Sequence, residues 1–179
     1  NTATDTIVVI SDSADPTVTI VTPAADPTYT VLATVDLDGT ASDNNAIASV
    51  TWDNLETTGS GTAPDTTSVT ISGMALAAGY NNITVTVTDM TGNTATDTIV
   101  VIYDITNPTV TIVTPASDPY YTTTPLDMDG TASDNNDVAS VDWVNDMGGS
   151  GTATGTTSWT ITGIALFEVW NHITVTVTD

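Results

Sequence analysis

The sequence contains no cysteine, no lysine and no arginine, and one histidine stands against 22 Asp and Glu, for a formal net charge of −22. Without Cys there are no disulfides, no thiol nucleophile and no thiolate metal site. Without Lys or Arg nothing on the surface neutralises the carboxylates, so nucleic acid and anionic membrane, which recruit basic side chains, are excluded as partners. The same lack closes sortase-type polymerisation and internal Lys–Asn isopeptide bonds, both of which need an amine. No run approaches the roughly 18 apolar residues of a membrane span, and the first residues lack the basic, apolar, small-residue order of an export signal. What such a polyanion attracts is cations, divalent metal above all.

What is present is alternation. "PTVTIVTPA" occurs at 16–24 and 108–116, and "ITVTVTD" at 83–89 and 173–179. β-branched residues with period two mean half-buried antiparallel strands, Val and Ile inward and Thr outward. No window sustains a helical period. Seven short strands are predicted in the first full repeat. In order they carry Val18 and Ile20, with an extension near Tyr29 to Leu32, then Val35 and Leu37, then Val50 and Trp52. A weak strand follows at 59–63, then Val69 and Ile71, then Ile83, Val85 and Val87, and last Ile99 and Val101. The expected fold is therefore all-β, with seven-stranded sandwiches arranged end to end.

The halves align through "GTASDNN" at 39 and 130 and "GSGTA" at 59 and 149, and length changes fall in loops, where register is not at stake. "NTATDTIVVI" at 93–102 is the seventh strand, yet it also opens the chain at 1–10. Residues 1–12 are thus read as the last strand of a preceding or neighbouring unit, 13–104 as one complete sandwich, and 105–179 as a sandwich lacking its seventh strand. Two explanations stay open: a window of a longer repeat array, or a subunit that lends its first strand to its neighbour. Both imply copies joined end to end.

The phrases "GTASDNNDVASVDW", "GSGTATGTTSWTITGIAL" and "NNITVTVTDMTGNTATDTIVV" resemble the tandem immunoglobulin-like repeats of large bacterial surface and secreted proteins. The resemblance covers nearly the whole chain and implies stalks, adhesin shafts, or filament and sheath material. The departure is the absence of Lys and Arg, which such repeats usually contain.

In a sandwich of this kind the loops after the second and sixth strands share a pole with the start of the first. That brings acidic stretches together as candidate calcium ligands, because calcium takes six to eight oxygens from carboxylates, amides and carbonyls. For the first repeat they are Asp12 and Asp15, then Asp43, Asn44 and Asn45, then Asp89. For the second they are Asp104 and Asn107, then Asp134, Asn135, Asn136 and Asp137, then Asp179. The competing reading is that Asp and Asn simply form good turns.

Interface candidates are Thr2, Thr4, Thr6, Ile7, Val8, Val9 and Ile10, together with Phe167 and Trp170, where "FEVW" replaces "AAGY" in the turn before the sixth strand. Trp52, Trp143 and Trp159 are assigned to the core. His172 falls on the outward face of a strand, and the pairs Asp36/Asp38 and Asp127/Asp129 lie on one strand face rather than flanking a bond, so no catalytic site is expected. The resulting expectation is a non-enzymatic extracellular structural protein building a fibre, stalk or sheath, with calcium as cofactor. The alternative is an adhesin or carbohydrate-binding module that takes a glycan or host-surface ligand.

Overall fold

The structure, a computed structural model, describes residues 1–168 and 170–179. It is all-β, with no helix among the described residues, and divides into two compact units, Asn1–Ile105 and Thr106–Asp179.

Unit 1 is a two-sheet sandwich. One sheet orders β1 (Thr17–Thr22), β3 (Thr34–Ser42) and β6 (Ser68–Ala75). The other orders β2 (Thr28–Thr30), β8 (Thr94–Tyr103), β7 (Gly79–Asp89), β4 (Ile47–Asn54) and β5 (Gly59–Thr62). All pairings are antiparallel except β2 with β8, so the predicted extension after the first strand crosses to the opposite sheet. The weak fourth strand, β5, stays beside β4.

The alternation places Leu37, Val50, Val69, Ile71, Ile83, Val85, Val87, Ile99 and Val101 between the sheets. Ile83, Val85, Val87 and Val101 are 0% exposed, and each such side chain contributes roughly 1.5–3 kcal/mol through burial.

Unit 2 repeats the plan with six strands among the described residues. β9 (Thr109–Thr114), β10 (Leu126–Ser133) and β13 (Ser158–Ile164) form one sheet, and β12 (Ser150–Thr152), β11 (Ser140–Asn145) and β14 (Ile173–Thr178) the other. β14 is the edge of its sheet, paired only to β11 among the described residues. Residues 1–16 carry no regular secondary structure, and Ile7, Val8, Val9 and Ile10 are 64–87% exposed.

Two devices recur in both units. Asp36 accepts from Gly73 N at 2.6 Å, and Asp127 from Gly163 N at 2.7 Å. Each bond spans the register shift between the second strand and its partner, so these aspartates hold a bulge open. A Cβ on Gly39 would lie 2.4 Å from Thr19 O, and one on Gly130 would lie 2.1 Å from Thr111 O. Glycine at the head of each "GTASDNN" therefore lets the first strand close onto the second.

The tryptophans divide. Trp159 is fully buried, its indole N–H without a partner, against Gly130. Trp52 and Trp143 are only half-buried, because they sit over the short strands β5 and β12, where Gly61 and Gly151 leave room for the indole.

Candidate functional site

The pole of unit 1 gathers the segment before β1 and the turns after β3 and β7. One carboxylate oxygen from each of Asp12, Asp43 and Asp89 lies within 4.8 Å of the others. The "DMTGN" turn explains the position of Asp89. Its Oδ1 accepts from the N–H groups of Thr91, Gly92 and Asn93 at 2.6–2.8 Å, and its Oδ2 from the Asn93 amide at 2.8 Å. Burial of Asp89 opposes its charge, but the Asn93 and Thr91 hydrogen bonds outweigh it and hold the pKa down at about 2.

Asp12 accepts from the side-chain amides of Asn45 and Asn44 and from Ala14 N, which together hold it below the usual carboxylate range. Thr91 and Asn93 in turn donate to the carbonyls of Asp12 and Ala14, tying the entering chain to the β7–β8 turn. Asp43 accepts from Asn45 N at 2.8 Å through Oδ2, while its Oδ1 is buried with no hydrogen-bond partner.

Chemically, this is a carboxylate triad without an ammonium or guanidinium beside it, in which amide N–H groups supply the only positive dipoles. Asp89 is already saturated with donors, so a cation has three oxygens to recruit: the unpartnered Oδ1 of Asp43 and the two carboxylate oxygens of Asp12. Turning the Asn44 and Asn45 amides would change them from donors to Asp12 into oxygen ligands for the same ion. Asp15 is exposed and lies outside the triad.

In unit 2 the Asp134 turn repeats this geometry: Oδ2 accepts from Asn136 N at 2.9 Å and Oδ1 is buried without a partner. Carboxylate oxygens of Asp134 and Asp179 lie within 4.8 Å of each other. Asn107, Asn135 and Asp137 are exposed. Asp104 follows β8 in unit 1, its N–H donating to Thr30 O at 2.9 Å.

The strand candidates Thr2, Thr4, Thr6 and residues 7–10 are all exposed, as are Phe167 at 49% and Trp170 at 69%. Phe167 lines an open hollow of about 500 Å³ with Thr122, Thr124, Pro125, Leu166 and Glu168.

His172 is paired rather than free. Its Nδ1 lies 2.7 Å from Asp146 Oδ2, and its N–H donates to Asp146 Oδ1 at 2.9 Å. The same clamp stands in unit 1, where Glu56 accepts from the N–H and the amide of Asn82 at 2.6 Å. The lone histidine thus occupies the position of Asn82 in a carboxylate clamp between two turns, which is a structural role.

Sequence reasoning passed over a second pair. Asn54 donates to Asn81 Oδ1 at 3.1 Å inside unit 1, and Asn145 donates to Asn171 Oδ1 at 3.0 Å in unit 2. The signal was present, since each of these four asparagines recurs at its aligned position in the other repeat.

Two stacked sheets with ionic clusters confined to turns define a β-sandwich module of the structural or binding kind, and such modules are typically without catalysis. A family model described as K319L-like, PKD domain matches residues 24–102, and one described as Bacterial Ig domain matches residues 108–178. Residues 24–102 are thus similar to a PKD domain and residues 108–178 to a bacterial immunoglobulin domain, which supports a likeness to the immunoglobulin-like repeat domains of bacterial surface proteins. Domains of these kinds are typical of extracellular or surface proteins.

Among solved structures the chain is similar to fibronectin(III)-like modules of Clostridium thermocellum CbhA, at 22% identity and a TM-score of 0.47, over 91% of this chain and 86% of that one. No curated protein matches.

Proposed function

We propose that this chain builds an extracellular fibre, stalk or sheath in which immunoglobulin-like units follow one another end to end, each open sheet edge being completed by a strand from the adjacent unit. The observation that carries this is that two units built on the same strand plan follow one another in one chain, with the strand sequence of 93–102 recurring at 1–10. Electron microscopy of the purified chain tests it: thin filaments with an axial repeat matching the two units are expected, and dispersed particles at every concentration would remove the reading.

A divalent cation such as calcium at the unit 1 pole is part of the same proposal. It is supported by the closeness of the Asp12, Asp43 and Asp89 carboxylates, with Asp12 and the unpartnered buried Oδ1 of Asp43 as the available ligands and Asp89 held in place by its own turn. Calcium would neutralise the triad and brace the entering segment against the β7–β8 turn. Titrated calcium is expected to raise the melting temperature of unit 1, and Asp43→Asn to abolish the rise. An unchanged melting curve with calcium and with chelator would remove the metal.

A second reading, an adhesin or glycan-binding module, has one observation in its favour. Tyr121 and Trp170, 81% and 69% exposed, lie within two residues in sequence of the segments that line the hollow in unit 2. Saturable retention of the chain on a glycan array, lost on Trp170→Ala, would favour it over the fibre.

A further inference from the structure

We propose that unit 1 binds a neutral, extended polysaccharide on the outer face of its larger sheet, at a stripe centred on Tyr29 and Tyr80. This deepens the glycan-binding reading, rests on it, and gives unit 1 a site of its own.

Strand register builds the stripe. β2 and β7 flank β8, and Tyr29 and Tyr80 both stand opposite Ile102. Residues paired across strands share a face, and successive residues along a strand alternate between faces. Val101 lies between the sheets, so Ile102 and its two partners face outward. Ile102 is nevertheless 1% exposed, whereas Tyr29 and Tyr80 are 59% and 61% exposed. An apolar side chain is thus covered on an outer face, in a row whose two tyrosines keep more than half of their surface in solvent. The tyrosines stand two strand spacings apart, roughly 9.5 Å, which is about the reach of a disaccharide.

Charge selects the ligand. No outward position of β7 or β8 carries a charged side chain, although the chain holds 22 Asp and Glu. Beyond the stripe these positions are Asn82 with Val100, then Thr84 with Thr98. A sugar bearing carboxylate or sulfate groups would find no Lys or Arg and would be repelled by the whole molecule. A polycation would be drawn to the acidic turns rather than to this uncharged face. What matches the face is a neutral polymer of hydroxyls whose pyranose rings offer C–H surfaces to the phenol rings.

Acceptors for the hydroxyls stand at the border of the stripe and are held in place without a ligand. Glu56 accepts from the N–H and the amide of Asn82 at 2.6 Å, and Asp26 Oδ1 accepts from Val100 N at 3.0 Å. A carboxylate oxygen takes more than one hydrogen bond, so both groups can still receive sugar hydroxyls. Because they are already ordered, binding costs them little freedom.

The aromatic pair also recurs in the sequence. Tyr29 aligns with Tyr121 and Tyr80 with Trp170, although the turn around the second changes from "AAGY" to "FEVW". A ring is kept at both positions while the residues beside it are not.

Native electrophoresis of the 179-residue chain through gels containing hydroxyethyl cellulose, xyloglucan or galactomannan, all neutral, tests this against gels containing alginate, an anionic polymer. Retardation by at least one neutral polymer, unrelieved by high salt, and none by alginate are expected. Tyr29→Leu or Tyr80→Leu alone should weaken retention roughly fivefold. The two together should abolish it with the melting temperature unchanged, because leucine still covers Ile102, and Tyr29→Phe with Tyr80→Phe should bind as the parent does.

Retention that survives both leucine substitutions, or that high salt relieves, overturns the site. So does a parent chain that sediments as a dimer and dissociates on those substitutions, since the face would then be a contact between copies. Retention lost on Trp170→Ala but kept by the double leucine variant leaves the glycan reading standing on unit 2 without this site. No retention of the parent chain by any neutral polymer removes both.

Discussion

The same ten residues occur twice in this chain in opposite circumstances. As β8 they hold Ile99 at 4% and Val101 at 0% exposure; at the start of the chain, their counterparts Ile7 and Val9 are 85% and 79% exposed. The sixth strands differ in parallel, since Ile83, Val85 and Val87 are fully buried while Ile173, Val175 and Val177 are not. Alternation of Val and Thr thus decides which face of a strand is apolar, but only a neighbouring strand decides whether that face is dry.

The largest expected effect breaks this comparison from the side of unit 1. Val101→Asp places an unpaired carboxylate in a closed core and should cost more than about 4 kcal/mol, enough to unfold the unit. Val9→Asp, the same change in the same sequence context, should leave the stability of both units unaltered in dilute solution. Hydrogen exchange resolved by unit reads both outcomes, and equal effects would show that residues 1–10 are already packed in the free chain.

A second test concerns how each unit fills its centre. Trp159, a much larger side chain, stands at the core position where unit 1 has Val69. Trp159→Ala should therefore destabilise unit 2 by about 3–5 kcal/mol, and Val69→Ala should cost unit 1 only about 2 kcal/mol. Denaturant melts followed by exchange in each unit give the two values. A smaller loss at Trp159 would mean that the open edge lets the core collapse around the gap.

Much of this architecture was legible in the sequence, for reasons visible at particular residues. Strand positions followed from period-two patterning at Val35, Leu37, Ile83, Val85 and Val87, because burial of one face leaves that trace directly. Partnership across the sheets did not follow. The parallel pairing of Thr28–Thr30 with β8 depends on a chain crossing that no local pattern encodes. The half-burial of Trp52 and Trp143 depends on which strand lies beside them, and the sandwich pattern alone suggested full burial. At the pole, residue types suggested Asp12, Asp43 and Asp89 but could not separate them from exposed Asp15; that distinction comes from the Asn44, Asn45 and Asn93 hydrogen bonds.

Acid should sharpen the contrast at the poles. Asp89 has a folded pKa near 2, below the ordinary carboxylate value, so its contribution to unit 1 is fully present above the unfolded pKa. It is lost as pH falls toward 2, when the proton displaces N–H donors from the carboxylate. Asp179 aligns with Asp89 in unit 2 and is exposed. Melting at stepped pH should show unit 1 losing stability below about pH 4 more steeply than unit 2, and Asp89→Asn should flatten that slope.

The smallest effect is expected where the units differ most in residue type and least in geometry. Glu56 with Asn82, and Asp146 with His172, make the same two-point clamp between turns, and the side chains of Asp146 and His172 are 46% and 74% exposed. Hydrogen bonds from the His172 N–H and ring hold Asp146 below the usual carboxylate range. Because the pair is open to water, its net contribution should be small. His172→Asn should restore the unit 1 pairing and leave the melting temperature of unit 2 essentially unchanged, whereas Asp146→Ala should lower it slightly by leaving His172 N without its acceptor. A large fall in that temperature from His172→Asn would contradict the equivalence of the two clamps and give the imidazole a role that an amide cannot fill.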